Sequence, residues 1–138
     1  MNNNTTKKET AIALHDKKYN CCQAVACAFS KEIGVDEQTL FRIGEGFGLG
    51  MGCMECTCGA LSGAIMLAGI KNSDGNTDSP ASKTATYKLS RAMVTAFKEK
   101  TGSTICKELK GVDTGKVLCT CPDCIRAGVE VVEEVLKL

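Results

Sequence analysis

Six of the ten cysteines in this 138-residue chain fall in two triplets of mirrored spacing. Cys53-x-x-Cys56-x-Cys58 lies mid-chain, and Cys119-x-Cys121-x-x-Cys124 lies near the C-terminus. Cys21, Cys22, Cys27 and Cys106 complete the set. A thiolate is both a soft metal ligand and a strong nucleophile, so this density points to metal ligation, reversible thiol chemistry or crosslinking.

Compartment is the first way to choose among the three. The opening Met1-Asn-Asn-Asn-Thr-Thr-Lys-Lys carries no apolar run and reads as no secretory signal. The longest near-apolar stretch, Gly59 to Ile70, is too short to span a bilayer. The expectation is therefore a cytoplasmic protein with no membrane insertion, in a compartment where structural disulfides are rare. Hydrophobic residues make up 43% of the chain, so a core forms without disulfide staples. The formal net charge is +1, with no basic stripe or aromatic platform, which argues against nucleic acid as a partner. Metal binding or thiol exchange is the better reading of the cysteines.

The elements that must position these residues read as helices almost throughout. Residues 1–6 are expected to be mobile, and residues 5–17 read as a first helix. Asn20 is an N-cap for a second helix to about Ile33, closed by Gly34. Its apolar face is Val25, Ala28, Phe29 and Ile33. Asp36 caps a short helix holding Leu40, Phe41 and Ile43. Between residues 44 and 52 glycine alternates with Glu45, Phe47, Leu49 and Met51, a site-forming loop that leads into the first triplet. Cys58 opens a central helix to Ile70, rich in small residues.

After the loop at 71–79, Ser79-Pro80 signals a helix running to Lys100, closed by Gly102. Its inner face is Leu89, Ala92, Met93, Ala96 and Phe97. Ser103 caps a short turn with Cys106 and Leu109, and Pro122 begins a last helix with the stripe Ile125, Val129, Val132 and Leu136. Only Lys116 to Cys119 hints at a strand. The fold class is all-α, a single compact helical domain over 1–138, of five to six helices with the glycine-rich loop before the central one.

On this map the cysteines gather at helix starts, where unpaired N–H groups and the dipole's positive end stabilise thiolates. The spacings fit no standard metal motif. The pairs 53/56 and 121/124 stand too far apart in sequence for a zinc ribbon, and no C-x-x-C-x-x-C ferredoxin run occurs. His15, the one histidine, reads as a solvated surface residue. Cys121-Pro122-Asp123-Cys124 has the local form of a redox dithiol, but not the fold context of glutaredoxin-like proteins. Cys22 and Cys27 read as small core hydrophobes. A Ser-His-acid set, a Walker loop and a dinucleotide fingerprint are all missing.

At Cys58-Gly59-Ala60-Leu61-Ser62-Gly63 the chain resembles a family of small bacterial proteins, considered redox-active and named for the pattern C_GCAxxG_C_C. Asn20-Cys21-Cys22-Gln23-Ala24-Val25, the glycine run, Ile105-Cys106 and Cys121-Pro122 extend the resemblance over most of the chain. It implies a redox role and maps the family's four cysteines to Cys21, Cys58, Cys106 and Cys121, with Cys22 as the alternative to Cys21. The added Cys53, Cys56, Cys119 and Cys124 are then further ligands or resolving thiols.

The leading expectation is an iron–sulfur cluster or other soft metal held by Cys21, Cys58, Cys106 and Cys121, with Gly59 alongside. Electrons would pass to a redox partner protein. A thiol–disulfide protein or sensor using Cys53/Cys56 or Cys121/Cys124, with no cofactor, is the second reading. A zinc-stabilised interaction module or soft-metal store is the third. Homodimerisation is a further expectation.

Overall fold

The computed structural model describes residues 5–138. Among these the order is α1 (Lys7–Asp16), α2 (Cys21–Ala28), α3 (Ser30–Ile33), α4 (Glu37–Gly44), a 3-10 turn (Glu45–Phe47), α5 (Gly48–Met51), α6 (Gly59–Asn72), α7 (Lys83–Thr101), α8 (Cys106–Lys110) and α9 (Cys121–Leu136). Six of the helices have eight residues or more, and α3, α5 and α8 are single turns. The fold is all-α. The one β contact among the described residues is an isolated antiparallel bridge between Thr57 and Ile105, so Lys116 to Cys119 forms no strand. No helix of these residues is long and apolar enough to cross a membrane.

α2 is the axis of the fold. Asn20 accepts from the Gln23 backbone N–H at 2.8 Å while the Gln23 side chain accepts from the Asn20 N–H at 2.9 Å, a reciprocal cap. From Cys22 to Ala28 every residue is buried, because α1, α4, α6 and α9 all pack on this helix. Small side chains make that possible. At Gly63 of α6 an added Cβ would sit 2.7 Å from the Cys22 carbonyl oxygen, and at Gly128 of α9 it would sit 2.9 Å from that of Ala60. The larger core residues, Phe29, Leu61, Leu67, Phe97 and Ile125, fill the space around this contact. Each stabilises the fold by about 1.5–3 kcal/mol.

Several boundaries differ from the sequence reading. The second helix stops at Ala28, because Phe29 leaves helical geometry (φ −108°, ψ 15°) before the single turn α3 ends at Gly34. α7 begins at Lys83 and not at Pro80, with residues 73–82 held by short side-chain turns such as Asn76 Oδ1 accepting from Asp78 and Ser79. Met93 and Phe97 carry its buried face, and Ala92 points outward. Thr6 caps α1 by accepting from Glu9, while residues 1–4 of the segment expected to be mobile lie outside the described residues.

Candidate functional site: a cysteine-lined pocket

Four helix starts surround one cavity of about 240 Å³, many times the ~15 Å³ that a single water needs. Cys21, Cys106 and Cys121 are the first residues of α2, α8 and α9, and Cys58 immediately precedes α6. All four line the cavity, with Cys119 and Cys124. Leu49 and Leu109 supply apolar wall, and Gly59 lies between the helix starts. A Cβ on Gly59 would stand 3.3 Å from Cys21 Cβ and 3.1 Å from the Cys22 nitrogen, so the residue keeps this wall thin.

Local hydrogen bonding brings these starts together. Cys58 N–H donates to the Thr104 carbonyl at 2.7 Å, and Cys106 N–H donates to the Cys56 carbonyl at 2.9 Å. These bonds flank the Thr57–Ile105 bridge and set Cys58 beside Cys106. On α9, Thr120 caps the helix from its side chain, and Cys121 and Cys124, three residues apart, share a face. Asn20 has a second role that sequence reading missed. Its amide donates to the Glu45 carbonyl at 3.0 Å, tying the glycine segment to the start of α2.

The thiols pair off. Cys21 acts on Cys121, and Cys58 on Cys124, each thiol shifting the other's pKa. Among the described residues no three Cys, His, Asp or Glu side chains form a ready ion-binding group. Cys121 is brought down from 9.0 to about 5 by the Cys21 thiol and by Lys110, whose Nζ donates to its sulfur at 3.0 Å. Cys58 is lowered by the Cys124 thiol and by the Ala60 and Leu61 N–H groups at the start of α6. Their partners Cys21 and Cys124 are pushed strongly upward, chiefly by that same pairing. Burial raises Cys106 and Cys119. The pocket thus favours a thiolate at Cys121, where the Lys110 ammonium donates to the sulfur, and lowers Cys58 through its neighbours on α6 and α9.

Sequence reading passed over one member of the pocket and misplaced another. Lys110 sits four residues after Cys106, one helical turn on, a spacing that could have found it. His15 lines the pocket at the end of α1 and is half-buried, so its reading as a solvated surface residue is corrected. Its charge adds a minor lowering influence on Cys121.

The other four cysteines stand apart. Cys22 and Cys27 are buried, with pKa values raised by burial to about 12 and about 11, which makes them inert core thiols. Cys53 is exposed and Cys56 half-buried, and neither lines the pocket. The first triplet therefore contributes only Cys58, whereas the second contributes all three of its members.

A family model described as "Putative redox-active protein (C_GCAxxG_C_C)" matches residues 19–135. The chain belongs to this family. The matched span holds every residue that lines the pocket except His15, so the redox description attaches to a chain segment that contains the whole cysteine set. No curated protein and no solved structure matches the chain.

Proposed function

We propose that this member of the family is an electron-transfer protein whose centre is the cysteine pocket. There Cys21, Cys58, Cys106 and Cys121 would hold an iron–sulfur cluster or another soft metal. One observation carries the reading: four separate helix starts deliver one cysteine each to the same cavity. The donor set fits. The lining offers six sulfurs and no carboxylate, which favours soft metals over calcium or magnesium. The Ala60 and Leu61 N–H groups at the start of α6 lower the Cys58 thiol, and backbone dipoles so placed tune a centre's potential.

When bound, a cluster supplies one-electron chemistry. The chain's own residues do the rest. Leu49 and Leu109 limit water, Lys110 offsets thiolate charge at Cys121, and Gly59 leaves room between Cys21 and the start of α6. A reducing compartment such as the cytoplasm suits such a site, with a redox protein as electron partner.

The test is anaerobic purification of the full chain, followed by iron and acid-labile sulfide assays and a visible spectrum. Iron and sulfide in stoichiometric amounts support the reading, and a chain that binds no metal sinks it. Tightly held zinc without a redox signal would instead make the pocket structural. A second reading rests on the Lys110–Cys121 bond: Cys121 as a nucleophilic thiolate that Cys21 resolves as a disulfide. It predicts a Cys21–Cys121 bridge after mild oxidation of a chain free of metal.

A further inference from the structure

We propose that Cys53 and Cys56 form a second redox site, an external dithiol that reduces an accessible disulfide, separate from the pocket and independent of what the pocket holds. Cys53 is exposed, its Sγ donating to the Gly50 carbonyl at 3.6 Å, and Cys56, three residues on, is half-buried. The turn between them is held in shape. Met54, between the two, takes a left-handed conformation (φ 64°), and its N–H donates to the Leu49 carbonyl at 2.8 Å. Lys107 N–H in turn donates to the Met54 carbonyl at 2.9 Å, and Lys107 Nζ pairs with Glu55 at 3.2 Å. A non-glycine residue adopts this conformation only where its surroundings enforce it. The clamp to α8 does so here, and it presents a C-x-x-C pair outward.

The chemistry balances within the pair and its substrate. Cys53 sulfur attacks one sulfur of the substrate disulfide, a mixed disulfide forms, and the other substrate sulfur leaves as a thiolate. Cys56 then attacks the Cys53 sulfur, and the second substrate sulfur leaves. The chain gives up two electrons and ends with a Cys53–Cys56 disulfide, while the two thiol protons pass to the released thiolates. Leu49 and Met51 are exposed on the same turn, which favours a disulfide flanked by apolar polypeptide.

The experiment uses the full chain, purified anaerobically, with two probes: oxidised glutathione and a disulfide-bonded peptide pair with apolar flanks. Reaction is quenched by alkylation, and the cysteines are read by mass spectrometry. A Cys53–Cys56 disulfide is expected, Cys56→Ser is expected to trap the substrate on Cys53, and Cys53→Ser to slow consumption about tenfold or more. No Cys53–Cys56 disulfide, no adduct on Cys53, or a wild-type rate in Cys53→Ser would each overturn the proposal. So would protection of both residues until a chelator is added, which would make them metal ligands. Faster reaction with the peptide, reduced in Met51→Ser, assigns a polypeptide source; equal rates remove it in favour of a small disulfide.

Discussion

The two cysteine triplets look like mirror images on paper, and the fold treats them differently. Cys119, Cys121 and Cys124 all line the pocket, because α9 begins at Cys121 and three-residue spacing puts Cys121 and Cys124 on one face. In the first triplet the helix begins after the last cysteine. Cys53 and Cys56 therefore sit on a left-handed turn that faces outward, and only Cys58 reaches the cavity. Spacing alone does not bring a cysteine to the pocket; its place relative to a helix start does.

Metal content should divide the triplets most sharply. Cys58→Ser and Cys121→Ser are expected to lose nearly all bound metal, whereas Cys53→Ser and Cys56→Ser should keep it within about twofold, outer-shell changes aside. Elemental analysis of anaerobically purified variants measures this. Equal loss from both groups would mean that the triplets act as one ligand set.

Thiol reactivity in a chain stripped of metal gives the next contrast. Cys121, lowered to about 5, should alkylate with a midpoint near that pH, while the raised Cys56 should react only in more alkaline solution. At neutral pH the thiolate fractions then differ by more than about a hundredfold. Lys110→Met should move the Cys121 midpoint upward, since the ammonium that donates to its sulfur is gone. The sign for stability follows. A depressed thiol stabilises the fold above its ordinary value of 9.0, and that contribution fades as pH falls toward 5. The raised Cys21 acts in the opposite direction, favouring the fold below 9.0 and losing that contribution at higher pH. Stability linked to the pair should therefore rise from pH 5 to pH 9 and decline beyond it, as chemical denaturation across that range would record.

Much of this arrangement was legible from local signals. The caps at Asn20 and Asp36, the stop at Gly102 and the apolar stripe of α9 are short-range features, and they place the helix starts where the four pattern cysteines lie. What joins the starts is long-range. Nothing in the sequence near Cys58 announces its bond to Thr104, and nothing near Asn20 announces its bond to Glu45. His15 was misread for the same reason, since only the packing of α1 beside α2 and α9 brings it to the pocket. Pro80 failed as a helix start because Asp74, Asn76 and Ser82 engage the intervening backbone in competing turns.

The glycines around the first triplet offer a smaller effect. Gly63→Ala must displace the Cys22 carbonyl and separate α2 from α6, at a cost of about 1–3 kcal/mol. Gly46→Ala meets nothing within 4 Å and should be neutral or slightly stabilising. Thermal unfolding distinguishes the two. If Gly63→Ala also lowers metal content, the spacing of Cys21 and Cys58 is set by this one helix contact.

The smallest expected effect concerns the cysteines in neither triplet. Cys22 neighbours Cys21 in sequence, yet its thiol points the other way, with Sγ 3.4 Å from Met66 Sδ, and Cys27 Sγ donates to the Glu37 carbonyl at 3.6 Å. Both are buried among α2's neighbours and act as small apolar side chains. Alanine at either position should cost about 1 kcal/mol through lost packing and leave metal content and Cys121 reactivity unchanged. A Cys22→Ala chain that unfolds earlier but loads metal normally would identify Cys21 as the α2 ligand. If instead Cys22→Ala loses metal while Cys21→Ala retains it, α2 must rotate by about one residue, 100°, on loading. The pocket would then be assembled by its ligand and not by the helix starts alone.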